Sequence, residues 1–126
     1  MSASPNRRGI VVVDHGSRWP GAAAYLPQLV TTLEKMRPDA IVAGAHLEFS
    51  SPTVPEAIDA VVARGASRVL VLPYLLLHGR HSLADLPRFA EEAKARHPGV
   101  AVTVGPPVGV SEIVLQVLLE AAGAVP

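Results

Sequence analysis

Two histidines follow apolar runs of the sequence, at positions where each could bind a metal or accept a proton. His15 comes just after the β-branched run 10–13, and His81 follows the apolar run 69–77. A neutral imidazole is the commonest metal ligand in proteins and also accepts protons near pH 7. Taken alone, either residue is an ordinary loop histidine. The predicted chemistry therefore requires that both histidines lie at one edge of the same sheet.

The neighbouring residues indicate what else such a site would contain. Glu48 ends another apolar run and would reach the same edge, although a solvated carboxylate before a helix is an equal interpretation. His78 precedes His81 by three residues, a spacing that suits two ligands on one helical turn. Gly79 lies between them and argues against a helix there. We therefore expect His81 to be the metal ligand and His78 to have no role in the site.

Two arginines flank the key histidines in the sequence. Arg18 follows His15, and Arg80 directly precedes His81. Because a guanidinium matches the geometry of a carboxylate, arginines at the mouth of a cleft suggest an anionic ligand that carries carboxylates. Ordinary surface charge is the alternative interpretation.

Three other polar side chains are interpreted as structural. Asp14 could fix the tautomer of the His15 ring, but we interpret it as a loop acid. His46 lies deeper in its strand than Glu48 and is expected to be packed. His97 stands at a helix end, where the helix dipole favours it on the surface.

Hydrophobic periodicity places these residues on a predicted α/β fold. Short apolar runs alternate with stretches whose apolar residues recur at helical spacing, which predicts the unit βα four times. The predicted strands are residues 10–13, 40–49, 69–77 and 100–104, with a regular ladder expected only over 69–72 of the third. This order predicts a single small parallel four-stranded sheet flanked by helices on both faces, in a flavodoxin-like three-layer αβα arrangement. Ligands of open sheets bind at the carboxyl ends of the strands.

Local sequence signals refine the boundaries of these elements. Thr53 and Ser111 have the spacing of helix N-caps before the second and fourth helices. Pro27 is expected to delay or bend the first helix, and Pro73 to limit the third strand to its first half.

The composition bounds the class of protein. The 126 residues suffice for one domain, and eleven basic and eleven acidic side chains cancel, so no excess charge points to nucleic acid. No cysteine is present, which excludes disulfides and thiolate metal sites within the chain.

No run approaches the ~20 apolar residues of a membrane span, so we expect a soluble, cytoplasmic protein. Residues 1–8 are expected to be a disordered lead-in and residues 9–126 the single domain.

Several familiar catalytic motifs are missing from the sequence. It contains no GxGxxG, no Walker A loop and no GxSxG elbow. Nothing in it therefore points to a bound nucleotide or a serine nucleophile.

Three stretches of the chain are familiar in combination. They are His-Gly-Ser-Arg at 15–18, Leu-Glu-Phe to Pro-Glu-Ala at 47–57, and Pro-Tyr-Leu through Gly-Arg-His to Asp-Leu-Pro at 73–87. Gly-Pro-Pro at 105–107 and the last helix also fit. Together they resemble the small CbiX-type sirohydrochlorin chelatases, a family of class II chelatases, over about residues 9–121. The pairing of an early His-Gly-Ser with Gly-x-His-x-x-x-Asp-Leu-Pro is more specific than either motif alone.

The resemblance implies insertion of a divalent metal into sirohydrochlorin without ATP, on the way to cobalamin, sirohaem or a related cofactor. It maps the family's two active-site histidines onto His15 and His81, which would bind the metal and accept protons, and the acidic residue onto Glu48. The expected substrate contacts are Ser17, Arg18 and Arg80. The metal is a substrate, with Co²⁺ expected first and Fe²⁺ or Ni²⁺ as alternatives, and no permanently bound cofactor is expected.

The resemblance also bears on partners and on the alternatives. Short members look like half of the two-lobed chelatases, so a homodimer is expected, with no nucleic-acid or membrane partner. A non-catalytic tetrapyrrole- or metal-binding module on the same fold is the second hypothesis, which the joint presence of His15, His81 and Glu48 disfavours. A histidine-phosphatase-like hydrolase ranks low because the sequence lacks the Arg-His-Gly of that chemistry.

Overall fold

Four parallel strands form the sheet on which the rest of the chain packs. The computed structural model describes residues 7–75, 84–107, 109 and 111–123. Its elements in chain order are β1 (Arg8–Asp14), a short 3-10 helix (Ala22–Ala24), α1 (Tyr25–Met36), β2 (Ile41–His46), α2 (Val54–Ala63), β3 (Arg68–Pro73), α3 (Asp85–Arg96), β4 (Ala101–Val104) and α4 (Glu112–Ala122). The strand order is β2-β1-β3-β4, with every pair parallel. The predicted small parallel α/β sheet is confirmed.

Helices cover both faces of this sheet. Val12 of β1 pairs with Gly44 of β2, and a Cβ on Gly44 would lie 2.7 Å from Cγ of Leu26 in α1. Gly9, three residues before Val12, instead faces α2, where a Cβ would lie 3.0 Å from Cγ2 of Val61. Because side chains alternate along a strand, α1 and α2 lie on opposite faces. α3 packs beside α2.

Aliphatic side chains fill the interior. All of the buried hydrophobic side chains among the described residues are Val, Ile, Leu or Ala, and the largest that are fully buried are Ile41, Ile58, Leu86, Val11, Val13, Val42, Val54, Val61 and Val71. Fully burying one Val, Leu or Ile contributes about 1.5–3 kcal/mol. Among the described residues, aliphatic rather than aromatic side chains therefore supply the hydrophobic stabilisation of the core.

Both predicted helix N-caps are confirmed. The Thr53 backbone N–H donates to Oε1 of Glu56 at 2.7 Å, and the Glu56 N–H donates back to Oγ1 of Thr53 at 3.3 Å. The backbone hydrogen bond from Thr53 is the main reason that the pKa of Glu56 lies below its ordinary value. At the start of α4, the Val114 N–H donates to Oγ of Ser111 at 3.4 Å.

Several element boundaries differ from the predictions. β1 begins at Arg8, within the expected lead-in, because the parallel register with β3 extends to that residue. Four other strand ends are shifted by one residue, since β1 ends at Asp14 and β2, β3 and β4 begin at Ile41, Arg68 and Ala101. β2 ends at His46, since the chain bends over residues 47–50, where Phe49 has φ of 77°. β3 includes Pro73 as its last residue, and Pro27 lies in the first turn of α1, where a missing N–H costs no helix hydrogen bond.

The last helix differs from the others in its packing. α4 contacts none of the other described helices and strands, and it has no buried residue. Its large apolar side chains are exposed, namely Ile113, Leu115, Val117, Leu118 and Leu119. Among the described residues, no helix is both long enough and apolar enough to cross a membrane.

Candidate functional site

A cleft of about 700 Å³ opens at the carboxyl edge of the sheet. Its walls come from the end of β1, the start of α1, the end of β2 and the segment after β3, and they include Asp14, His15, Ser17, His46 and Tyr74. This is the edge at which open α/β sheets bind their ligands. β1 and β3 are neighbours, so the segments that follow them begin at adjacent positions on this edge.

His15 and Glu48 face each other at this edge. Nε2 of His15 lies 4.0 Å from Oε2 of Glu48, and both side chains are about half exposed, at 55% and 45%. The Glu48 backbone N–H donates to the His15 carbonyl at 3.1 Å, which ties the two loops together. Gly16 permits this approach, because it has φ of 87° and a Cβ there would lie 2.0 Å from the Glu48 carbonyl oxygen. The predicted proximity of His15 and Glu48 is therefore present.

The spacing of these two donors suits one metal ion. Imidazole nitrogens and carboxylate oxygens lie about 2.0–2.2 Å from an ion such as Zn²⁺, so one ion can span donors about 4 Å apart. Within residues 7–75 and 84–107 and the described parts that follow, no cluster of three or more His, Cys, Asp or Glu side chains could hold a metal. Among these residues, His15 and Glu48 offer two donors on facing loops. The predicted residues His78, Arg80 and His81 lie outside the described residues.

A second imidazole–carboxylate pair lies in the same cleft. Nδ1 of His46 is 2.7 Å from Oδ1 of Asp14, and His46 is only 5% exposed. These residues are the paired last residues of two adjacent strands. The prediction that His46 is packed is confirmed, whereas the interpretation of Asp14 as a loop acid is wrong. Sequence reasoning missed the pair because it considered His15, and not His46, as the partner of Asp14.

Two of the residues predicted to contact the substrate are described, and Ser17 lines the cleft while Arg18 directly follows it in the same loop. The Arg18 guanidinium carbon stands 4.7 Å from the centre of the Phe49 ring, a cation–π arrangement. Oγ of Ser17 accepts a hydrogen bond from the Trp19 backbone N–H at 3.0 Å, which shapes the loop after β1. Both Ser17 and Arg18 are exposed and available to a ligand.

His97 has a structural partner away from the cleft. Its Nε2 lies 2.7 Å from Oδ1 of Asp59, which also accepts two hydrogen bonds from the Arg96 guanidinium. Burial raises the pKa of Asp59, but the hydrogen bonds from His97 and Arg96 outweigh it and hold that pKa below its ordinary value. The prediction that His97 is simply a surface residue therefore needs one correction. His97 follows the end of α3 and bonds to Asp59 of α2, so its side chain joins the two helices.

Comparison with known proteins identifies the family. The CbiX family model matches residues 9–124. The chain belongs to the CbiX family. The resemblance read from the sequence is thereby confirmed.

Relatives of this CbiX chain carry sirohydrochlorin in their names. It is 33% identical over 110 residues to the chloroplastic sirohydrochlorin ferrochelatase of Arabidopsis thaliana, covering 87% of this chain and 49% of that protein. It is 31% identical over 118 residues to the sirohydrochlorin cobaltochelatase of Saccharolobus solfataricus, covering 89% of this chain and 91% of that protein.

A solved structure shares the fold of this CbiX chain. It is the sirohydrochlorin chelatase SirB from Bacillus subtilis subspecies spizizenii in complex with cobalt, with a TM-score of 0.78 and 28% identity. The match covers 94% of this chain and 51% of SirB. The chain therefore spans about half the length of SirB and of the Arabidopsis protein.

Proposed function

We propose that this CbiX protein inserts a divalent metal ion into a sirohydrochlorin-like tetrapyrrole without ATP. The observation that carries the proposal is the juxtaposition of His15 and Glu48, 4.0 Å apart and half exposed at the carboxyl edge of the sheet. The family and the names of its relatives supply the substrate class. A metal ligand and a proton acceptor on one open wall are what metal insertion requires.

The reaction exchanges two protons for one metal ion. Two pyrrole N–H bonds break, four metal–nitrogen contacts form, and no electrons are transferred. His15 and His81 would bind the incoming ion and, as the ion leaves them for the macrocycle, would accept the two released protons. Glu48 would assist by passing a proton from a pyrrole nitrogen to His15. A site with few protein ligands and an open position can release its ion, whereas a closed four-ligand site would hold it. In this proposal the metal is a substrate, and no resident cofactor is needed.

The charged rim of the cleft supports a polycarboxylate substrate. Arg18 is exposed and directly follows the cleft-lining Ser17, and a guanidinium binds carboxylates in a bidentate manner. We propose that Arg18, Ser17 and Arg80 contact the acidic side chains of the macrocycle.

Co²⁺ is the metal that we propose first. The names of the relatives include both cobalt and iron, and the SirB structure contains cobalt. Imidazole and carboxylate ligands suit Co²⁺, Fe²⁺ and Ni²⁺ alike, so the ranking has to come from a side-by-side measurement.

An anaerobic insertion assay tests the proposal. Purified protein is mixed with sirohydrochlorin and Co²⁺, Fe²⁺ or Ni²⁺, without nucleotide, and the absorption change of the macrocycle is followed. We expect a rate above the uncatalysed background that His15→Ala, Glu48→Gln and His81→Ala each remove almost completely. The matched histidine controls, His97→Ala and His78→Ala, should keep their activity. Binding of sirohydrochlorin without any catalysed insertion would replace the proposal with a non-catalytic binding module.

We also propose that the partner of this chain is a second copy of itself. α4 exposes five large apolar side chains and contacts none of the other described elements. An apolar helix face of this kind is typical of a surface that another protein covers. The match covers about half of the Arabidopsis and SirB proteins, and a second copy would supply an equivalent of the half that the match leaves out.

A further inference from the structure

Nearly all aromatic side chains of this protein are exposed. The sequence contains one Trp, two Tyr and two Phe, and four of these five residues are more than half exposed. They are Trp19 at 67%, Tyr25 at 61%, Phe49 at 52% and Tyr74 at 58%. Because aromatic rings usually bury 150–250 Å² and dominate cores, this distribution needs a reason. We call these four residues the aromatic rim.

The aromatic rim comes from segments that follow the carboxyl ends of three neighbouring strands. Trp19 lies in the loop after β1, Tyr25 begins α1, Phe49 follows β2 and Tyr74 follows β3. Tyr25 and Tyr74 line the same cleft as His15. Trp19 lies two residues after the cleft-lining Ser17, and its backbone N–H donates a hydrogen bond to Oγ of Ser17.

Phe49 is held in place at an energetic cost. Its φ of 77° lies in the left-handed region, which bulky residues rarely adopt and which clusters at functional sites. In this conformation its ring stacks against the Arg18 guanidinium at 4.7 Å. The strained residue thus places a flat apolar ring and a fixed cation side by side, next to Glu48.

We propose that the aromatic rim is a stacking surface for the flat, conjugated face of a tetrapyrrole, with Arg18 on its carboxylates. The proposal rests on the proposed function and adds to it the basis of recognition. Rings stack on conjugated faces in offset arrangements, and a concave edge beside His15 suits a small ligand. Charge alone would bind any flexible polycarboxylate, whereas the aromatic rim would select a planar one.

Trp19 is the only tryptophan, so it reports on binding directly. The full-length protein is titrated with uroporphyrin I, a planar octacarboxylate porphyrin, in the absence of metal, and the Trp19 emission and the porphyrin absorption band are both recorded. Octaglutamate, a flexible polycarboxylate, serves as the comparison ligand. We expect saturable quenching and a shifted absorption band with uroporphyrin I, and neither competition nor quenching by octaglutamate.

Rim variants separate stacking from charge. Tyr25→Leu, Phe49→Leu and Tyr74→Leu should each raise the Kd for uroporphyrin I about three- to tenfold. Phe89 lies on α3 and is the one aromatic residue of the sequence outside the aromatic rim. Phe89→Leu should leave this Kd unchanged. The proposal would be overturned if all three rim variants had the same Kd for uroporphyrin I as the original chain. It would also be overturned if octaglutamate displaced uroporphyrin I from the protein. A Trp19 emission shift that depends on protein concentration without ligand would assign the aromatic rim to a second copy instead.

The two proposals fail in different ways. If uroporphyrin I binding depends on the aromatic rim but no metal insertion is catalysed, the chelatase function is wrong and the stacking surface stands. If insertion is catalysed and the rim variants bind as the original chain does, the stacking surface is wrong and the function stands.

Discussion

The hydrogen bond between Asp14 and His46 joins two strand ends directly beneath the site residues. One residue beyond Asp14 lies His15, and two residues beyond His46 lies Glu48, so the pair fixes the distance between the two loops. Both partners are largely buried, with side chains 20% and 6% exposed. A partly buried carboxylate without its partner costs about 1–3 kcal/mol.

His46→Leu should therefore lower the free energy of unfolding by about 1–3 kcal/mol, measured by urea denaturation. The double variant Asp14→Val with His46→Leu should recover part of the loss, because neither polar partner is then left alone. Equal stability of the single variant and the original chain would show that the hydrogen bond contributes nothing.

Phe49 offers a test of strain at the site. Asn adopts a positive φ far more readily than Phe, so Phe49→Asn should relieve backbone strain and stabilise the fold by about 0.5–1 kcal/mol. The same change removes the ring that Arg18 contacts, and uroporphyrin I binding should weaken. Thermal unfolding and the binding titration measure the two effects. A lower Tm for Phe49→Asn would mean that the ring stabilises the chain more than its φ strains it.

Among the elements, the loop after β1 has the strictest steric requirement. Gly16→Ala would place a Cβ 2.0 Å from the Glu48 carbonyl oxygen, so the loop must move and His15 must separate from Glu48. We expect metal insertion to fall at least about 100-fold, as for a displacement of about 1 Å in a catalytic group.

Gly99→Ala is the matched control for that variant. Gly99 has φ of 90°, close to that of Gly16, but a Cβ there would meet nothing within 4 Å. The Gly99→Ala variant should lose about 1 kcal/mol of stability, because alanine disfavours this positive φ, and it should keep its activity. Equal activity losses in both variants would show that the close approach to Glu48 is irrelevant.

Asp59 links α2 to α3 and gives the fold an acid-sensitive contact. The pKa of Asp59 is lowered in the folded chain, where burial raises it and the bonds from His97 and Arg96 outweigh that effect. Its contribution is therefore present above the unfolded pKa of about 3.9 and is lost as the pH falls through the lower folded pKa. Because the pair is exposed, the contribution should stay below about 1 kcal/mol.

Asp59→Asn tests this contact through its pH dependence. The variant should be less stable than the original chain at pH 7, and the difference should shrink as the pH falls below about 4, measured by urea denaturation at each pH. Asp85→Asn is the control, since its partner Arg88 lies on the same helix and joins no second element. A difference that is constant from pH 7 to pH 2 would contradict the assignment.

The sequence predicted the elements better than the contacts between them. β-branched runs and the Thr53 cap were sufficient to predict the strands and the start of α2, because these signals act within a few residues. The Asp14–His46 bond spans 32 residues and depends on the register of β1 and β2, which periodicity does not determine. The positive φ of Phe49 also carried no sequence signal, since Phe is disfavoured there.

For the whole molecule, the main consequence of the fold is an open site. His15 and Glu48 are half exposed at the sheet edge where the cleft opens. In the proposed function, a metal that is bound and then released needs such access. In the proposed pairing, a second copy would cover the exposed face of α4.

Pairing through α4 can be tested by placing a charge on its apolar face. Leu118 is 57% exposed on α4, and Met36, at the end of α1, is 64% exposed and serves as the matched control. If α4 lies in the interface, Leu118→Glu buries an unpaired carboxylate there and should weaken the dimer at least about 100-fold, whereas Met36→Glu should not. Sedimentation velocity over a range of concentrations measures both dissociation constants, and metal insertion per chain should fall on dilution in parallel with the dimer. A chain that is monomeric and fully active at every concentration would contradict the proposed pairing, and a dimer that Leu118→Glu leaves intact would exclude α4 from the interface.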